Sequence, residues 1–291
     1  MVTTLAAAPG LRVEDYRCDG RSASTDERID GFELVFVRRG AFQVESARGR
    51  ALADAQSMLL FHRGEQFRVT HPANCGDHCL IVGFDESLLA DLFSRTPLLD
   101  DGRPEAPFAA LHVACPPGLH AAALRLAKRL VAQGGDPLLA AEELAPLVAR
   151  ALETAPVAES ASRRESAEAS DLAEAVRLAL ARRLGDRLPL AELAAPLGVS
   201  PYHLARVFRR QTGTSIHQYR LELRLREAFG RLLAGERDLT GLALDLGFAD
   251  HAHFTNAFRR RFGLPPSRAR GERRQAIVSA PRPRRRPPGA A

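Results

Sequence analysis

The tightest constraint on the fold is a stretch that occurs twice. "LAAPLGVSPYHLARVFRRQTG", from Leu193, lines up with "LALDLGFADHAHFTNAFRRRFG", from Leu242, with one extra residue in the second turn. Leu193 matches Leu242, Leu197 matches Leu246 and Gly198 matches Gly247. Beyond the turn, Ser200 matches Asp250, Leu204 matches Phe254, Phe208 matches Phe258, and arginines close both copies. A chain that writes one pattern twice is expected to fold it twice.

Each copy reads as two helices about a turn. The first half has the apolar spacing of a short amphipathic helix. It ends at a glycine, which accepts the left-handed conformation past a helix end. Ser200 or Asp250 then offers an oxygen to the first free N–H groups of the next helix, and Pro201 suits the first helical position. In that second helix one face is apolar: Leu204, Val207 and Phe208, or Phe254, Ala257 and Phe258. The other face starts with mixed polar residues and ends in arginines. This is a helix-turn-helix, present twice.

Between the copies, "SIHQYRLELRLREAFGRLLAG" predicts a helix of about 18 residues spanning roughly 27 Å. Ile216, Tyr219, Leu223, Leu225, Leu232 and Leu233 are its expected packing residues. Successive major grooves on one face of DNA lie roughly 34 Å apart. A connector of this length can hold two recognition helices in adjacent grooves.

The charge distribution agrees. Residues 1–170 carry 18 basic and 24 acidic side chains, whereas 171–272 carry 17 and 11. The last 19 residues add six arginines and no acid. An acidic first half is joined to a basic second half, which suits a polyanion such as nucleic acid.

With the repeat, its connector and the ending "FRRRFGLPPSRAR", the stretch from Asp171 to Arg270 resembles the AraC/XylS family of transcriptional regulators. The resemblance implies a C-terminal all-α domain with two helix-turn-helix motifs joined by a long helix. It also implies an N-terminal cupin-like domain that binds an effector or dimerises. Base contacts in the family come from the exposed start of each recognition helix. Carried over, these are Tyr202, Ala205 and Arg206 in the first copy, and His251, Ala252, Thr255 and Asn256 in the second. Arg206 suits guanine and Asn256 suits adenine. Ser200, Arg209, Arg210, Arg259, Arg260 and Arg261 are the expected phosphate contacts, which set register without reading sequence. The arginines also complement the helix dipole. His203 and His253 fall beside the core face. A zinc site at "HAH" is excluded by geometry, because residues two apart on a helix point about 200° apart.

The first half reads as short strands punctuated by glycine, a β-sandwich or cupin-like barrel followed by two helices. "FELVFVRRGAFQVES" suggests two strands about a turn at Arg39-Gly40, and "SMLLFHRGEQFRVTHP" two more about Arg63-Gly64. "HCLIVGF" is a further strand. Helices are predicted from Gly118 and from Asp136, the second interrupted by Pro146. The family's members dimerise through such helices, so a homodimer is expected. The domains are 1–155 for the effector half, 156–170 for a linker, 171–271 for the DNA-binding half, and 272–291 for a disordered Arg/Pro-rich tail.

The expected partners are double-stranded DNA and a small-molecule effector entering the barrel mouth, where His62, Arg38 and Arg68 are candidates for an anion. RNA polymerase is a candidate protein partner. No cofactor is expected. His71, Cys75, His78 and Cys79 form an alternative cluster for a metal or thiol sensor. A cupin-type metalloenzyme would need a His-x-His motif, which the first half lacks. A repair methyltransferase would need a "PCHR"-like nucleophile, which "ACPPG" at Cys115 does not match. No catalytic residue is therefore assigned. The start "MVTTLAAAPG" lacks signal-peptide character and no apolar run reaches membrane length, so a cytoplasmic location is expected.

Overall fold

The computed structural model describes residues 1–21, 26–93, 108, 110–154 and 167–270. In the first half, two antiparallel sheets share one strand. The first sheet runs β1 (Val2–Ala8), β2 (Leu11–Cys18), β8 (Asp77–Phe84), β4 (Phe32–Ser46), β6 (Ser57–Phe61) and β9 (His112–Ala114). The second places β5 (Gly49–Asp54) and β7 (Gln66–Thr70) against the far half of β4, with β3 (Asp26–Arg28) beside β7.

The shared strand corrects the expected turn at Arg39-Gly40. Phe32–Ser46 is one strand of 15 residues. A register shift between Val37 and Arg39 marks a bulge, and Gly40 sits at φ +85°. Bulge and glycine bend the strand from one sheet into the other. A Cβ on Gly40 would strike the Gly76 carbonyl, so no larger side chain fits. The turn near Arg63-Gly64 does form, but β6 and β7 belong to different sheets.

Alternation along the strands divides the apolar residues. Val35, Val37, Phe42, Leu59, Phe61 and Phe67 fill the space between the sheets. Leu34, Phe36, Leu80 and Val82 face the other way, into one cluster with residues of α2 (Pro117–Ala132) and α3 (Pro137–Thr154). The short α1 (Glu86–Phe93) follows β8. α3 is not restarted at Pro146, because buried Leu144, Leu147 and Val148 anchor it on both sides of the lost N–H bond. Asp136 accepts from Leu138 N and caps the helix start.

The second half is helical: α4 (Ala167–Arg182), α5 (Leu190–Ala194) with a 3₁₀ turn at Ala195–Leu197, α6 (Pro201–Thr212), α7 (Ile216–Leu233), α8 (Leu239–Asp245), α9 (His251–Phe262) and α10 (Pro266–Arg270). α4 begins inside the stretch read as a linker. Residues 155–166 and the tail from 271 lie outside the described residues. α7 joins two cores. Its Tyr219 and Leu223 pack with Val176, Leu180, Leu204 and Phe208, and its Leu225, Phe229 and Leu232 pack with Leu242, Phe254 and Phe258.

The two halves are packed together. Ala121 and Leu124 of α2 lie in the same cluster as Leu225 and Phe229 of α7, and Arg125 sits over the Phe229 ring at 5.1 Å. The face of α2 that was expected to seek a partner subunit is thus covered in part by the chain's own connector. Among the described residues, no helix is long and apolar enough to cross a membrane.

Candidate nucleic-acid interface

Both turns form as their residues dictate. Gly198 and Gly247 take φ +67° and +72°, the left-handed region that a side chain strains. Ser200 accepts a hydrogen bond from His203 N at 3.1 Å, and Asp250 accepts one from His253 N at 2.7 Å. The recognition helices α6 and α9 therefore start at fixed points, each 12 residues long.

Their inner faces are locked. Leu204, Phe208, Phe254 and Phe258 are fully buried. Phe208 meets Tyr219 edge-on at 5.4 Å, and Phe258 stacks on Phe229 at 6.0 Å. Both contacts end on α7, so one rigid helix sets the relation between the two recognition helices.

Their outer faces carry the residues carried over from the family pattern. In α6, Tyr202 is 79% exposed and Arg206, Arg209 and Arg210 are exposed, with Ala205 half-buried. In α9, His251, Ala252, Asn256, Arg259 and Arg260 are exposed, and Thr255 is half-buried. His251 Nε2 lies 3.4 Å from Thr255 Oγ1, which ties these two residues on one face. His253 is exposed, with its ring edge-on to Phe248 at 5.4 Å.

Arg261 departs from the group. Its Nε lies 2.5 Å from Glu222 of α7, and with Arg260 it borders a groove that also includes Gln56 and Gln218. Glu222 in turn holds Arg226 at 2.7 Å, and Arg226 donates to the carbonyls of Ala55 and Cys115. The end of α9 is thereby linked to the sheet-rich half.

These buried charges on α7 were invisible to apolar periodicity. Glu222, Arg224, Arg226 and Glu227 are all buried. Arg224 donates to the carbonyls of Leu184, Asp186 and Gly247, clamping the second turn to the loop after α4. Burial and neighbouring Arg220 pull its pKa down to about 10, so it stays charged at neutral pH. A signal did exist: four charges in six residues on a helix flanked by apolar positions need partners if the helix is internal.

The candidate effector residues are already engaged. Arg38 pairs with Asp15 and touches His78, Arg68 pairs with Asp26 at 2.8 Å, and His62 Nε2 lies 3.0 Å from the carbonyl of Phe108. The cluster His71, Cys75, His78 and Cys79 does not converge. His78 and Cys79 are neighbours on β8 and leave opposite faces. His78 Nε2 sits 2.6 Å from Asp15. The Cys75 thiol points to the Ala41 carbonyl at 3.7 Å. His71 and Cys79 instead share Asp77, at 2.5 and 3.2 Å.

Two family models cover these two halves. One described as an AraC-like ligand binding domain matches residues 16–176, and one described as a helix-turn-helix domain matches 193–272. The chain belongs to the AraC/XylS family of transcriptional regulators. Among its AraC/XylS relatives, the transcriptional regulator GlxA of Rhizobium meliloti is 41% identical over 85 residues, 29% of this chain and 25% of GlxA. The regulatory protein SoxS of Salmonella typhimurium is 35% identical over 75 residues, 26% of this chain and 70% of SoxS. The chain spans about a quarter of the length of the first of these relatives. A crystal structure of ToxT from Vibrio cholerae aligns over 90% of this chain and 97% of its own, at 13% identity and a TM-score of 0.37. As expected for an AraC/XylS member, a sheet-rich half matching the ligand-binding model precedes a helical half matching the helix-turn-helix model.

Proposed function

We propose that the protein is a sequence-specific DNA-binding transcriptional regulator that reads two adjacent major grooves of double-stranded DNA. The observation that carries this is the pair of exposed, capped recognition helices fixed to one 18-residue connector. Its rise spans roughly 27 Å, close to the groove repeat of roughly 34 Å. Tyr202, Ala205 and Arg206 read one half-site. His251, Ala252, Thr255 and Asn256 read the other. Ser200, Arg209, Arg210, Arg259 and Arg260 meet phosphates. Arg261 joins them on release from Glu222. The reading assigns no catalytic step, and places the protein in the cytoplasm with DNA.

The effector half senses a small molecule and supports a homodimer. Leu138 of α3 and Val131 of α2 are 67% and 65% exposed, and supply apolar surface away from the connector. RNA polymerase is the machinery such a regulator meets at a promoter. Selection of bound fragments from genomic DNA with purified protein tests the reading. The expected result is a shared motif with two unequal half-sites. Recovery of fragments with no common motif, at any salt concentration, would refute it.

A further inference from the structure

Cys18, His71 and Asp77 come together from three separate segments. Cys18 ends β2, Asp77 opens β8, and the two are direct cross-strand partners. Their side chains leave the same face of the sheet. It is the face toward the second sheet, because Cys79, two residues beyond Asp77, lies in the cluster between the sheets. His71 follows β7 and enters from that second sheet, its ring 6.0 Å from that of Phe42. One donor atom from each of Cys18, His71 and Asp77 lies within 4.8 Å of the others.

A thiol, an imidazole and a carboxylate are the three donor types that zinc takes. Ligands at zinc distances and tetrahedral angles lie about 3.3–3.8 Å apart, so closing this set takes shifts of about an ångström. The Cys18 sulfur already accepts the Gly20 N–H at 3.4 Å, a bond that strengthens on a thiolate. The Asp77 and His71 side chains are 2% and 7% exposed, whereas Cys18 is half-buried and opens the set to solvent. The Cys79 sulfur touches Asp77 Oδ2 at 3.2 Å but lies outside the set.

We propose that Cys18, His71 and Asp77 bind a borderline-soft divalent cation, with zinc the best match and solvent at the fourth position. Binding releases the Cys18 thiol proton to solvent and leaves thiolate, neutral imidazole and carboxylate on the ion. The site brackets the loop between His71 and Asp77. Asn74 and Cys75 of that loop line a cleft of about 510 Å³ between the sheets, the end of α4 and Glu227 of α7. An ion would stiffen the loop against the connector that spaces the recognition helices. That consequence rests on the DNA-binding reading; the site itself does not.

The test titrates the reduced full-length protein with Co²⁺, which reports thiolate ligation and tetrahedral geometry by absorption. One equivalent is expected to bind, with a thiolate-to-cobalt band that Zn²⁺ abolishes. Losing a ligand should weaken affinity by at least the roughly 10–100-fold that losing an outer-shell partner costs. Cys18→Ser, at a partly exposed position, is the discriminating variant, with His71→Ala and Asp77→Asn checked for folding by circular dichroism. Cys75→Ser and His78→Ala should leave the band intact. No band at one equivalent, a band that survives Cys18→Ser, or one lost with Cys75→Ser would overturn the site. DNA affinity is then compared with zinc and with chelator. A bound ion that leaves DNA affinity unchanged would overturn its regulatory role alone. Absence of DNA binding in every state would count against the regulator reading, not the site.

Discussion

Arg206 and Asn256 occupy matching places on the two recognition helices but differ in charge and reach. Arginine can grip guanine O6 and N7 with its fork, and asparagine can pair with adenine N6 and N7. Arg206→Ala is expected to cost about 1–3 kcal/mol of discrimination at one position and relax preference there. Arg259→Ala should weaken all sequences alike and reduce the salt slope by about 1. Binding isotherms on matched and mismatched sites at several salt concentrations separate the two. An Arg206→Ala protein with unchanged site preference would remove that residue from the readout. A second residue-scale case is Glu33. Burial pushes its pKa up to about 7, despite the Arg12 guanidinium beside it. The folded state then holds the proton more tightly than the unfolded chain, whose glutamates titrate near about 4.3. Stability contributed by neutral Glu33 is present below that range and is lost as pH rises toward 7. Glu33→Gln should flatten stability between about pH 4.3 and 7 in urea unfolding curves.

At the scale of elements, caps and aromatic contacts decide how firmly the recognition helices are held. Asp250→Ala removes the bond to His253 N and should cost about 0.5–2 kcal/mol. Phe258→Ala empties a site packed by Phe229, Phe254 and Phe262 and should cost about 3–5 kcal/mol. Chemical denaturation measures both. The connector shows where apolar periodicity stops being informative. Tyr219, Leu223, Leu225, Leu232 and Leu233 were legible as packing residues, and all are buried. The density of charge at Glu222, Arg224 and Arg226 hinted at burial, but their carbonyl partners were not legible, because those lie far away in sequence. Arg226 reaches Ala55 and Cys115, and Arg224 reaches Leu184 and Gly247. β4 is a similar case: Gly40 signalled a bend, but whether the chain reverses or continues into a second sheet depends on β5 and β7 flanking it.

For the molecule as a whole, the decisive feature is the junction of the two halves. Asp54, fully buried at the end of β5, receives Arg177 of α4 at 2.9 Å and the Tyr219 hydroxyl of α7 at 2.5 Å. Burial by itself would raise the Asp54 pKa, but Arg177 and the two donated hydrogen bonds hold it below the ordinary carboxylate range. Its contribution is present above the unfolded value of about 3.9 and is lost as pH falls through the lower folded value. Acid should therefore loosen the junction, an effect that proteolysis of the connector at falling pH would register. Asp54→Ala strands the Arg177 charge and should cost about 3–5 kcal/mol, whereas Asp54→Ala with Arg177→Met should recover much of it. If the single and double variants unfold alike in urea, the pair is not what couples the halves.

The repeated turn, its caps and its apolar faces needed no tertiary information to be recognised. Each depends on residues within a turn or two of one another: an oxygen before a helix start, a glycine past a helix end, apolar side chains three and four apart. The family resemblance rests on the same local chemistry. The route of β4 through both sheets, the burial of α7 against α2, the Asp54–Arg177–Tyr219 junction and the meeting of Cys18 with His71 and Asp77 were decided by packing. Each joins groups far apart along the chain, and a buried charge or donor carries no local mark of the partner it will find. His78 makes the point in one residue. Sequence spacing set it beside Cys79, and the two-residue period of a strand turned it to the opposite face, toward Asp15.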